Sequence, residues 1–291
     1  MVEKINAFFE HYLDRIYNKY CRIQMKKYSA SRRTTTSASD DGDYPVFCHL
    51  ASQNNMIFKR FKRNEIYNNI LEHLTQQDGT EYLKRINDGD RLFSDSCWDN
   101  FRKNDNYGKP KVFPYNINGS KKKVSPTTLR YVKVLKDIVS LLNIEDINSV
   151  AEIGIGYGGQ GRILTSYLKS LKTYYLFDLP EVLKLSEKYL QQFGDTGKFR
   201  FIDGTNIDVN TEYDLVISNY AFSELVRAVQ DIYLEKVILR SRQGYITWNS
   251  ISCEKLDGYT LEELLKKIPG SFVIPEEPLT AENNCIIVWK G

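Results

Sequence analysis

Histidine and cysteine are sparse in this chain and poorly spaced for holding metal. The three histidines, His11, His49 and His73, all fall in the first third, and the five cysteines, Cys21, Cys48, Cys97, Cys253 and Cys285, never form a CxxC pair. That spacing argues against structural zinc and a disulfide framework, and no ligand pattern supports another metal. Long apolar runs are also missing. Nothing approaches the roughly 20 residues of a membrane-spanning helix, and Met1-Val2-Glu3-Lys4 leads into an amphipathic pattern instead of a signal-peptide core. A soluble, cytoplasmic protein is expected. Charge of one sign is lacking as well, since a formal net charge of +3 is too small to point to nucleic acid.

What is present is an ordinary globular composition, 42% hydrophobic and 26% charged over 291 residues, enough for one large domain or two modest ones. The first part reads as helices broken by polar segments. Ile5, Phe8, Phe9, Tyr12, Ile16 and Tyr20 recur at helical spacing, as do Ile66, Ile70, Leu71 and Leu74. Ser29 to Asp43 has no periodicity and reads as a mobile loop, and Arg102 to Lys123 is a second polar stretch. Ser125 then caps a helix with Pro126 in its first position and an apolar stripe from Tyr131 to Leu142.

From Ser149 onward, short apolar runs alternate with helical patterns, the mark of βαβ units and a mostly parallel sheet. Strands are expected near 149–152, 173–177, 199–202, 215–218 and 245–248. Two more, 272–274 and 285–289, have no room for a crossover helix between them and should pair antiparallel. The expected fold class is therefore α/β, a Rossmann-like seven-stranded sheet (125–291) with a mainly helical N-terminal lobe (1–124).

The first strand ends in Glu152-Ile153-Gly154-Ile155-Gly156-Tyr157-Gly158-Gly159-Gln160-Gly161. A glycine-rich turn between a strand and a helix lets backbone approach a ligand closely. Gly154, Gly156 and Gly159 fit a dinucleotide pattern, with Asp178 as a ribose-binding acid. Glu152 favours another cofactor: its carboxylate would repel a pyrophosphate, whereas S-adenosylmethionine has no phosphate and carries a sulfonium and an ammonium. Ligands in open parallel sheets lie beyond the carboxyl ends of the strands, so Asp178, Asp203 with Gly204, Asn219-Tyr220 and Asn249 belong to one set. Asp178 suits the ribose hydroxyls and Asp203 the adenine amino group.

These residues resemble the class I S-adenosylmethionine-dependent methyltransferases over about Ser125 to Gly291: Glu152 to Gly156 is similar to the first cofactor motif, Phe177-Asp178-Leu179-Pro180 to the second, and Tyr213 to Asn219 to the fourth-strand motif. Upstream, Asn104-Asp105 with Gly108 and Pro110, then Ser125 to Tyr131, resembles the sugar O-methyltransferases of bacterial surface-glycan clusters, as does Asn219 to Leu225. The resemblance implies methyl transfer to a sugar hydroxyl, in a nucleotide sugar or a glycan, with S-adenosylmethionine as cofactor.

The cofactor set is then Glu152, Gly154, Gly156, Tyr157, Gly158, Asp178, Leu179, Asp203, Gly204, Asn219 and Tyr220. Arg130, Tyr131, Phe222 and Asn249 are the acceptor set, and Glu224 and Asp105 the candidate bases. Helix initiation by Glu224, and a surface ion pair for Arg130, remain open readings. So do a non-catalytic module of the same fold and, through the glycines, a nicotinamide-dependent oxidoreductase. Phe58 to Arg63 and Lys121 to Lys123 are basic segments, either solvated or in contact with an anion. The aromatic-rich first helix offers a homodimer surface.

Overall fold

The computed structural model describes residues 2–28, 36–37, 42–89, 91–194, 196–250 and 255–291, with backbone only for 2–7. Ile5 as a packing residue, Cys253 and most of the 29–43 loop therefore lie outside the described side chains. No helix among the described residues is long and apolar enough to cross a membrane.

A hairpin, β1 (Phe113–Ile117) and β2 (Ser120–Val124), precedes the main sheet. That sheet comprises β3 (Ser149–Ile153), β4 (Thr173–Asp178), β5 (Phe199–Asp203), β6 (Tyr213–Asn219), β7 (Ser241–Trp248), β8 (Phe272–Pro275) and β9 (Cys285–Trp289). Its order is β5-β4-β3-β6-β7-β9-β8, parallel except for β9, which runs antiparallel to β7 and β8. The Rossmann-like seven-stranded sheet and its helical N-terminal region are thus present. Strand order reverses at β3, between β4 and β6, and that switch point opens a crevice at the strands' carboxyl ends.

Period-two alternation feeds two cores. Val150, Leu215, Ile217, Ile286 and Val288 join the Pro126–Leu141, Gly159–Tyr167 and Pro180–Gln191 helices and the N-terminal helices in one apolar cluster. Ala151, Ile153, Val216, Ile287 and Trp289 meet Tyr233, Leu234, Leu264 and Ile268 on the other face. The first cluster runs without interruption from Phe47, Phe61 and Tyr67 of the N-terminal region into Tyr157 and Tyr189, so the two parts of the chain share a core. Gly244 on β7 lies opposite Trp289 on β9, and a Cβ there would fall within the indole ring. Gly244→Ala should cost about 1–3 kcal/mol through overpacking, read as a lower urea midpoint with an unchanged slope.

Capping chemistry sets several helix starts. Ser125 accepts from the Thr128 N–H ahead of Pro126, and Thr75 and Thr260 form capping boxes with Asp78 and Glu263. The helix expected around Ile66 to Leu74 is replaced by one α-turn, Glu65–Tyr67, and a wider π-turn, Asn68–Glu72. Of the basic segment Phe58 to Arg63 only Lys59 is exposed: Lys62 is buried, Arg60 pairs with Glu10 and Asp14, and Arg63 with Asp14. Lys122 pairs with Asp99 at 3.0 Å. Phe8, Phe9, Tyr12 and Ile16 remain exposed on the Val2–Met25 helix.

Candidate active site

At the switch point lies a cavity of about 700 Å³. Its floor is the glycine turn, where Gly154 and Gly156 have φ of 76° and 55°. A Cβ on Gly154 would strike Ala221, and one on Gly156 would come within 2.7 Å of Leu71. Glycine is therefore required twice, for left-handed backbone and for close approach.

Glu152 is buried on this floor, and the Tyr174 hydroxyl donates to its Oε2 at 2.7 Å. No cation among the described residues pairs with it. Burial pushes its carboxyl up to about 8, with Tyr174 opposing and Asp178 reinforcing the shift. Asp178 is oriented by backbone N–H groups, Leu179 donating to Oδ1 at 2.8 Å and Gly156 to Oδ2 at 3.2 Å. Burial raises it to about 6 against those bonds. Each oxygen keeps a further lone pair for a ligand.

Leu179, Gly204, Asn219, Tyr220, Tyr131, Arg130, Glu224 and Asn249 also line the cavity. Tyr220 closes β6 with φ at 67°, a rare conformation for a bulky residue. Its hydroxyl donates to Glu276 and lies 3.3 Å from the Thr280 hydroxyl. Glu224 sits on a 3₁₀ turn, Ala221–Glu224, and accepts from Asn249 Nδ2 at 3.1 Å. Burial raises its pKa, while the Asn249 bond and the Arg130 charge oppose the rise. The following helix starts at Arg227, so Glu224 does not lie in its first turn.

Five expected residues are elsewhere. Tyr157 turns into the core, under Lys62 Nζ at 3.9 Å and against Tyr189 at 4.8 Å between ring centres. Gly158, at φ 83°, caps the Gly159–Tyr167 helix and packs on Ser186 and Leu190. Phe222 is buried beside Trp248. Asp203 accepts from the Thr205 N–H and hydroxyl in a local turn, so the cavity meets Gly204 and Thr205 instead. Asp105, expected as a base, braces a helix start: it accepts from the Ser125 N–H and hydroxyl, both at 2.7 Å, and from the Thr128 hydroxyl at 2.8 Å. It is not on the cavity wall.

The N-terminal region supplies wall residues that no local pattern announces. The π-turn presents Leu71, and His73 follows at the exposed mouth, its pKa lowered by partial desolvation and the Arg130 charge. Gln77, Asp78 and Tyr82 come from the next helix, Gln76–Ile86, which starts in the Thr75–Asp78 capping box. Thr36 and Ser37 cross the wall as well: Thr36 O accepts from the Val226 N–H at 3.0 Å, and Ser37 bridges to Leu225.

No protein-family model matches the chain, and no curated protein matches it. Solved structures do. The chain is similar to the methyltransferase domain of bacterial CtHen1, at 13% identity over 56% of this chain and 97% of that one, TM-score 0.43. It is similar to an S-adenosylmethionine-dependent methyltransferase from Clostridium acetobutylicum ATCC 824, at 11% identity over 56% and 90%, TM-score 0.41. It is also similar to the N-methyltransferase NodS from Bradyrhizobium japonicum WM9, solved with S-adenosyl-L-homocysteine, at 11% identity over 55% and 83%, TM-score 0.41.

Proposed function

We propose that the chain is an S-adenosylmethionine-dependent O-methyltransferase acting on a sugar hydroxyl, in a nucleotide sugar or a glycan. The observation that carries this reading is Glu152, a buried carboxyl on a glycine turn at the switch point with no cation among the described residues beside it. An uncompensated buried carboxylate favours a cationic ligand and disfavours a pyrophosphate. In this reading Asp178 accepts from ribose hydroxyls, supported by its position on the cavity wall and its free lone pairs, and Gly204 with Thr205 lines the adenine side. S-adenosylmethionine, when bound, supplies an electrophilic methyl group on a sulfonium. Glu224 takes the proton of the attacking hydroxyl, and Asn249 fixes the carboxylate that receives it. Asn219, Thr280 and Asn284 add hydrogen-bonding groups suited to a polyhydroxylated acceptor.

Calorimetric titration with S-adenosylmethionine, S-adenosylhomocysteine and NAD tests the reading. Binding of the first two without NAD is expected, and tight NAD binding without the others would overturn it.

The Glu152 shift adds a pH dependence with a definite sign. Its carboxyl lies at about 8 in the ligand-free fold against a reference of 4.5, so between those values the folded state holds a proton that the unfolded chain releases. Ligand-free stability from this group therefore falls as pH rises towards 8. A cationic ligand needs the ionised form, so affinity should climb by about tenfold per pH unit below that value and level off above it. Calorimetry in buffers of different ionisation enthalpy should show about one proton released near neutrality. Glu152→Gln should bind weakly and without that slope, and an identical slope in the variant would assign the proton to another group.

A further inference from the structure

Arg130 stands apart from the other buried guanidinium of the core. Arg162 uses four of its five donors: Nε donates to Asn104 Oδ1, Nη1 to Asn100 Oδ1 at 2.9 Å, and Nη2 to the Asn100 and Phe101 carbonyls at 2.7 and 3.1 Å. Arg130 is 8% exposed; among the described residues its Nε has no partner, and its one hydrogen bond is a 3.4 Å contact from Nη2 to Leu71 O. The rings of Tyr131 and Tyr220 lie 5.8 and 6.0 Å from its centre. Among the described residues no carboxylate lies within ion-pair distance of it, and it is the one Lys or Arg on the cavity wall. Asn219, on the same wall, also has a buried side-chain oxygen without a partner.

This guanidinium has its Nε shut from water without a partner among the described residues, and buried Glu72 acts on it only from beyond ion-pair distance, so donors facing the cavity are left for an anion to complete. Its planar fork matches the paired oxygens of a carboxylate or phosphate. Glu152 and Asp178 line the same cavity at the glycine turn, so the wall is acidic where a cationic cofactor is proposed and basic at Arg130. We infer that Arg130 binds an oxyanion on the acceptor, which is therefore an acidic sugar bearing a carboxylate or a phosphate. This rests on the methyltransferase reading for the word acceptor, and not for the anion site itself.

The test is titration of glucuronate, glucose 6-phosphate and neutral methyl glucoside into the protein saturated with S-adenosylhomocysteine, followed by ligand-observed saturation-transfer NMR. At least one charged probe should bind tenfold or more tightly than the neutral one, and which of the two does so separates carboxylate from phosphate recognition. Arg130→Gln should erase the difference while leaving S-adenosylhomocysteine affinity unchanged, and Arg130→Lys should retain part of it; a loss of S-adenosylhomocysteine affinity in Arg130→Gln would overturn the proposal and give Arg130 to the cofactor's own carboxylate. Equal binding of charged and neutral probes by the parent protein would overturn the proposal and leave the methyltransferase reading intact. Equal losses for all probes in Arg130→Gln would also overturn it, making Arg130 a counter-charge for Glu224. Failure to bind S-adenosylhomocysteine would remove the methyltransferase reading, and the same titrations without it would still decide the anion site. Should Arg130→Gln not fold, the parent's preference and its decline with added salt decide alone.

Discussion

Glu224→Gln is expected to bind S-adenosylmethionine as the parent does and to lose at least about a hundredfold in turnover. The substitution keeps the side chain's size and one oxygen for the Asn249 amide, which donates to Glu224 Oε1 at 3.1 Å, but it cannot take a proton. Glu224 lies on the cavity wall one residue from the Leu225 bridge to Ser37, and it makes no hydrogen bond to Glu152 or Asp178. Its removal should therefore spare cofactor affinity. Burial raises its pKa, so the carboxylate is a stronger base than an exposed one, and parent activity should rise with pH as the group ionises. At saturating cofactor, where the Glu152 dependence drops out, the variant should lack that rise. Turnover near that of the parent would instead pass the role to His73 at the cavity mouth, an imidazole whose pKa is lowered by desolvation and the Arg130 charge.

Asn104→Ala should lower stability by about 2–4 kcal/mol. Asn104 is fully buried where the N-terminal region meets the first helix of the sheet. Its side chain donates to Gly159 O at 3.1 Å and accepts from Arg162 Nε, while its carbonyl accepts from Lys62 Nζ and the Tyr189 hydroxyl, both at 2.9 Å. The carbonyl bonds survive the substitution, but a guanidinium N–H is left unpaired in the core and a small void opens. Urea unfolding with an unchanged slope is the measurement. A loss below about 0.5 kcal/mol would mean that water replaces the amide. Asn104→Asp is the informative companion, because it keeps an acceptor for Arg162 and loses the donor to Gly159.

The Asn104 network also shows what a linear reading can and cannot supply. The sheet was legible because each strand carries its own apolar run, and because the 272–289 segment is too short for a crossover helix. The cavity floor was legible because Glu152, Gly154, Gly156 and Asp178 act through backbone geometry at known strand ends. Side-chain direction was not. Tyr157 and Phe222 sit in the same motifs as cavity residues yet point into the core, where burying an aromatic face outweighs its use at the ligand. Asp203 bonds locally, as short acids do near unpaired backbone donors, and Asp105 is taken up by a helix start 20 residues further along the chain. The hairpin of β1 and β2 was hidden by its lysines, although Asn118-Gly119, with φ of 52° and 80°, is the dipeptide a tight hairpin turn favours. Leu71 and Tyr82 reach the wall only through long-range packing.

The placement of β9 between β7 and β8 has a consequence during biosynthesis. β7 is finished well before Cys285–Trp289 has been translated, and β8 has no partner other than β9. At roughly 5–20 residues per second, the ribosome leaves the edge of β7, with Tyr245, Ile246 and Trp248, unpaired for seconds. An apolar strand with open backbone groups recruits other strands. The nascent chain is thus most prone to aggregate in that interval, and slower translation at this stretch, or a chaperone held there, should govern how much native protein a cell accumulates.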